Sequence, residues 1–169
     1  MTVLADEFSR VFREEHRRVR DLLLELIEAF EGRDVLRIRS LLGEIAGLTG
    51  PHFRYEEEAL YPALVQIFGS PYIDRLYRDH DAAIAAAKRL VELAGSDELD
   101  PGEVSEAVQL VRGILPHVTD CDGLSIMVEV LPAESVRSIF AARDRSLGEG
   151  LDLLRWAQEV RGRPGAARA

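Results

Sequence analysis

The chain has 169 residues, with 30 acidic against 21 basic side chains and a formal net charge of −9. That length suffices for one domain with a sizeable core, and an ordinary apolar fraction excludes disorder as the main state. The acidic balance excludes nucleic acid and anionic membrane as main partners, because both attract basic faces; it suits a protein that holds cations inside.

The single cysteine, Cys121, excludes an internal disulfide and fits a reducing compartment. No run approaches the length of a transmembrane helix, and the start MTVLADEFSR lacks the basic-then-apolar pattern of a secretory signal. A cytoplasmic protein is expected.

Apolar residues recur every three or four positions almost throughout, which is the helical period, and strand signals are nearly absent. The first helix is expected over residues 6–30, with the stripe Phe8, Phe12, His16, Val19, Leu23, Ile27 and Phe30. EGRD then turns the chain. A second helix starts near Asp34 on Ile38, Leu41, Ile45 and Leu48; Gly50-Pro51 should kink it, and the stripe resumes at His52, Glu56 and Leu60. Pro62 should loosen its last turn. Ser70 is the expected N-cap of a third helix, with Pro71 first inside it, and Ile73, Leu76, His80, Ile84, Ala87 and Val91 as its stripe.

DPGE opens the fourth helix, with Asp100 as cap, Pro101 at the first position and Glu103 placed for a capping box. Its stripe is Val104, Val108, Val111 and Leu115. Pro116 should kink it before His117, and Gly123 should interrupt it again. A fifth helical stretch is expected over residues 133–160, carrying Val136, Phe140, Leu147, Leu151, Leu154 and Trp156. The pattern predicts an all-α protein: an antiparallel up-down-up-down four-helix bundle over residues 1–131, then a C-terminal helix over 132–160 that packs on the bundle or in a dimer, and a flexible tail over 161–169.

The chain's four histidines, His16, His52, His80 and His117, fall one on each bundle helix. One inward histidine alone reads as a core imidazole bonded to a carbonyl. Four together would repel if charged, and if neutral each would still need partners for both ring nitrogens. A metal takes one nitrogen and leaves the other to a nearby acceptor. Carboxylates share these faces: Glu56 follows His52 by four residues, and Asp122 follows His117 by five, which requires an irregular turn. Imidazole plus carboxylate without cysteine pairs suits iron, manganese or zinc, and two carboxylates among four imidazoles are enough to bridge two metal ions. The Glu-x-x-His pattern of ferritin-like sites is absent before every histidine.

These residues resemble the hemerythrin family, in its HHE cation-binding branch, over about residues 10–125. The likeness rests on REEHRRVRDLL with His16, HFRYEEEALYPAL with His52 and Glu56, RDHDAAI with His80, and HVTDCD with His117 and Asp122. It implies two non-haem iron ions with an oxo or hydroxo bridge: His16 and His52 on one iron, His80 and His117 on the other, Glu56 and Asp122 between them. The third helix of oxygen carriers has His-x-x-x-His; here Leu76 and Ile84 stand one turn either side of His80, so one imidazole is missing and reversible oxygen carriage is put in question.

Cys121, four residues after His117, reads either as a small buried hydrophobe or as a thiol beside the metal. Glu57, Glu58, Asp79 and Asp81 read first as solvated helix faces, with Glu57 and Asp79 as substitute ligands or outer acceptors. Among Tyr55, Tyr61 and Tyr77, Tyr77 is expected nearest the iron. The resemblance implies binding or sensing of O2, NO or iron, with any signal leaving through a protein partner or a homodimer. The alternative is a diiron enzyme or repair factor acting on peroxide, Fe(II) or damaged iron-sulfur clusters.

Overall fold

The computed structural model describes residues 3–161, and among them are helices and turns but no strand. Helix α1 (Val3–Glu31) has every expected stripe residue buried, from Phe8 to Phe30. Helix α2 (Val35–Tyr55) starts on Asp34, whose carboxylate accepts from the Arg37 amide. One π-helical turn, Glu56–Leu60, joins it to α3 (Tyr61–Phe68). Pro62 supplies a local cause: it has no N–H, and its ring crowds the carbonyl four residues back unless the turn before it widens.

Helix α4 (Ser70–Leu93) begins one residue earlier than expected. Gly69, at φ 77°, is its N-cap and Ser70 is its first helical residue. Gly69 takes the sharp turn because a left-handed φ suits glycine best. Helix α5 (Pro101–Asp122) opens on the expected capping box, in which Asp100 and Glu103 bond each other's backbone amides.

Short connections make sequential helices antiparallel neighbours. Helix α1 packs on α2 and α5, and α4 on α5 and α2, closing a four-helix bundle. The strict four-three spacing drifted in places: Leu48, Val91 and Leu147 were expected inside and are exposed, whereas Thr49 and Leu90 are buried. The bundle core has two apolar clusters, one around Leu22, Leu26, Phe30 and Val111, the other around Phe8, Phe12, Leu64 and Leu124. The histidines lie between them, after Phe12 and Leu76 and before Val19 and Leu90 along their helices.

After the short α6 (Ser125–Val128), the fifth stretch is not one helix. Helix α7 (Ala133–Glu149) stops at Gly150, which adopts φ 61°, and a short α8 (Leu153–Trp156) runs into a second π turn, Ala157–Arg161. Both α7 and α8 pack on α2 of the same chain. A Cβ on Gly50 would lie 2.2 Å from the Leu151 carbonyl oxygen and 2.7 Å from the Leu153 nitrogen, so only glycine lets the crossing segment lie against α2. The expected tail, Arg161 apart, lies outside the described residues. Among those residues no helix is long and apolar enough to cross a membrane.

Candidate metal centre

Glu56 is fully buried at the middle of the bundle, and its two carboxylate oxygens face different histidines. His52 Nε2 lies 3.1 Å and His16 Nε2 3.9 Å from Glu56 Oε1. His80 Nε2 lies 3.1 Å from Oε2. Two groups have ligand atoms mutually within 4.8 Å: His16, Glu56 and Cys121, and Glu56, His80 and His117. Glu56 belongs to both, and every member of the two groups is buried.

The opposite ring nitrogens are turned to acceptors. His16 Nδ1 donates to the Phe12 carbonyl at 2.7 Å, one turn back on its own helix. His52 Nδ1 donates to Glu15 at 2.8 Å, and His80 Nδ1 to Glu57 at 2.9 Å. Asp79 lies 3.5 Å from His117 Nδ1, an ion-pair contact too long for a good hydrogen bond. A bond to Nδ1 fixes the ring and directs Nε2 inward, the outer arrangement of a metal-bound histidine. Phe53 stacks on His80 with ring centres 3.8 Å apart and planes 4° off parallel, which further restrains that ring.

The π turn brings one residue into the centre that sequence spacing misplaced. In an α-helix the fifth residue onward points about 140° away. Here the wide turn brings Tyr61 back to the face of Glu56: its hydroxyl donates to Glu56 Oε2 at 3.4 Å and lies 3.0 Å from His80 Nε2. Tyr77, expected nearest the site, instead donates to the Glu57 carbonyl at 3.0 Å. Glu57 is not on a solvated face; it is buried under the π turn, whereas Glu58 is exposed as expected.

Helix α5 remains regular through Asp122, so the irregular turn needed to align Asp122 with His117 does not form. Cys121, at four residues, stays on the face: its Sγ donates to Glu56 Oε1 at 2.9 Å. Asp122 joins neither group of close ligand atoms. It is half-buried beside Arg13 at 3.5 Å, and its Oδ1 is buried without a hydrogen-bond partner. Glu15 was missed by sequence reasoning; it precedes His16, but its partner His52 is 37 positions away, a relation that helical spacing does not encode.

Electrostatically, buried Glu56 favours positive charge on the imidazoles bonded to it and not on the other two. Burial opposes charge on Glu56, yet His52 and then His80 hold its carboxyl far below the usual range. Burial also disfavours charge on His52, but Glu56 and Glu15 outweigh it and raise the imidazole to about 10. His80 is raised against burial by its bonds to Glu56 and Glu57. Burial and the charge of His52 lower His16; burial and the charge of His80 lower His117 to about 4. Burial, then Glu56, keep the Cys121 thiol and place it far from ready ionisation.

The donor set fits a metal. Among the described residues, the buried side-chain N and O atoms without a hydrogen-bond partner are both ring nitrogens of His117, Asp122 Oδ1 and Trp156 Nε1. Three of these four atoms belong to His117 and Asp122, which the family resemblance implies as ligands, and orphaned buried polar atoms are costly unless something satisfies them.

A family model described as the Hemerythrin HHE cation binding domain matches residues 7–122, which include all four histidines, Glu56, Cys121 and Asp122. No curated protein and no solved structure matches the chain.

Proposed function

Because the chain belongs to the hemerythrin HHE cation-binding family, and is thereby a metal-binding protein, we propose that it holds two non-haem iron ions and binds or senses O2, NO or iron through them. One observation carries this reading: Glu56 offers one oxygen toward His16 and His52 and the other toward His80, as a bridge between two metal ions requires. His16 and His52 would hold one ion, and His80 and His117 the other. On the α5 side, Cys121, whose Sγ lies 2.9 Å from Glu56 Oε1, and Asp122, whose Oδ1 is buried without a hydrogen-bond partner, would be the further candidate donors. Manganese and zinc suit the same donors.

Bound iron would supply redox chemistry and affinity for a small ligand. The chain supplies the surroundings. A cavity of about 60 Å³, lined almost wholly by apolar groups such as Leu26, Ile45 and Phe53, borders His117 and suits a small uncharged molecule. A wider cleft between α4 and α5, lined by Asp79 and Asp120, also reaches His117. Phe12, Phe53 and Leu76 exclude water from the other sides.

The alternative, turnover of peroxide or another oxidant, has its own support in Tyr61 and Cys121. Burial, then neighbouring negative charge, keep both protonated, so each presents a proton beside Glu56.

Metal content per chain, measured on protein purified without a metal-binding tag, is the deciding experiment. Near two irons is expected, and Glu56→Gln should lower it toward one. Two irons with unchanged spectra in that variant would remove the bridging role. Reversible O2 or NO spectra on the loaded protein favour binding and sensing; steady consumption of peroxide favours the alternative.

A further inference from the structure

The two outer carboxylates share a feature that the bundle alone does not explain. Glu15 divides its oxygens: Oε2 accepts from His52 Nδ1 at 2.8 Å and from the Tyr55 hydroxyl at 2.6 Å, while Oε1 accepts from Arg143 Nε at 2.7 Å. Glu57 accepts from His80 Nδ1 at 2.9 Å and from Arg161 Nε at 3.1 and 3.0 Å on its two oxygens. Arg143 stands on α7 and Arg161 on the final π turn. Both lie beyond residue 122, where the family match ends.

We infer that Arg143 and Arg161 are positioning residues, by which the C-terminal helices set the outer carboxylates of His52 and His80 and thereby the metal affinity of each half of the centre. This rests on the two-metal reading above. Without its arginine, buried Glu57 would keep only His80 on its carboxylate, and half-buried Glu15 would keep His52 and Tyr55 on one oxygen with the other unheld, so each would be freer to swing. An arginine fork holds it in one orientation and draws on its charge, so the histidine it faces is fixed as a ligand. His16 and His117 have no such backing: one uses a backbone carbonyl, the other faces the half-exposed Asp79. Each half of the centre therefore has one arginine-backed histidine.

The C-terminal segment is also seated well enough to act this way. Its crossing at residues 151–153 is pressed on Gly50. Trp156 is buried in a cluster with Phe53, the residue stacked on His80, so the segment reaches His80 through packing as well as through Arg161 and Glu57. Arg161 is tied further to Asp81 at 2.6 Å and lies over the Trp156 ring at 5.8 Å.

The test is anaerobic titration with Co(II), followed by its visible d–d bands and by competition with a chelator. Wild type should take up two ions. Arg161→Met should weaken one site about ten-fold or more, the usual cost of losing an outer partner. Arg143→Met should weaken the other, with a different band shift. If Arg161 acts through Glu57, adding Arg161→Met to Glu57→Gln should cost nothing further; a purely structural role would give additive losses.

Should Arg161→Met lose helix content, Arg161→Lys carries the test, because it keeps the charge without the fork and should show a smaller loss at the same site. Folded arginine variants with wild-type affinities and bands, or additive losses, overturn the inference alone. Wild type that takes up no Co(II) overturns the two-metal reading as well.

Discussion

Glu56 organises the centre because a fully buried carboxylate must be compensated, and its surroundings offer imidazoles on both sides. Protons on His52 and His80 do this when no metal is bound, so metal and protons compete. His52 titrates near 10 in the folded chain against 6.5 unfolded. Its stabilising effect is complete below 6.5 and is lost as pH rises through about 10. His117, lowered to about 4, acts oppositely: its effect is complete above 6.5 and is lost as pH falls through about 4. The metal-free chain should therefore melt highest near pH 6.5, and Co(II) affinity should climb above that pH as His52 gives up its proton. Thermal scans and titrations across pH 4–10 check this, and affinity that stays level between pH 6.5 and 10 contradicts it.

Secondary-structure elements position those residues by their irregularities as much as by their regularity. The α-helical period sets His52 over Glu56, and the π turn that follows sets Tyr61 beside them. Regular α5 carries Cys121 inward and leaves Asp122 at the rim. Gly50 is the element-scale feature most exposed to test, since an added methyl group meets backbone that cannot swing aside. Gly50→Ala should destabilise the chain by about 2–3 kcal/mol through overpacking. Hydrogen exchange should rise first over residues 150–161. Wild-type stability and protection in this variant would mean that the crossing segment is not seated on α2 as described.

The molecule is a bundle whose polar layer is closed on both sides by apolar clusters and on its flank by its own C-terminal helices. A cation held in that layer is coupled to folding, because the unfolded chain has no assembled donor set. Each bound ion at a hundred times its dissociation constant adds about 2.7 kcal/mol, which for a chain of this size raises the melting temperature by roughly 5–10 °C per ion. Chelation should lower the transition by that amount and re-addition of Fe(II) or Co(II) should restore it. A melting temperature indifferent to metal would place the bound ion outside the folded core.

Much of this was legible in residue order. Helix periods, the Asp100 capping box, the inward histidines and the His52–Glu56 turn all arise from contacts within four residues, which local sequence encodes. The pairings of Glu15 with His52, Glu57 with Arg161 and Gly50 with Leu151 span 37, 104 and about a hundred positions and depend on which helix faces lie together. Composition and spacing made a cation-holding bundle. Only packing decided that Tyr61 rather than Tyr77 enters the centre, that Cys121 bonds Glu56, and that the C-terminal helices close on the ligands, because those outcomes hang on a π turn, an unbroken α5 and a glycine-sized gap between backbones.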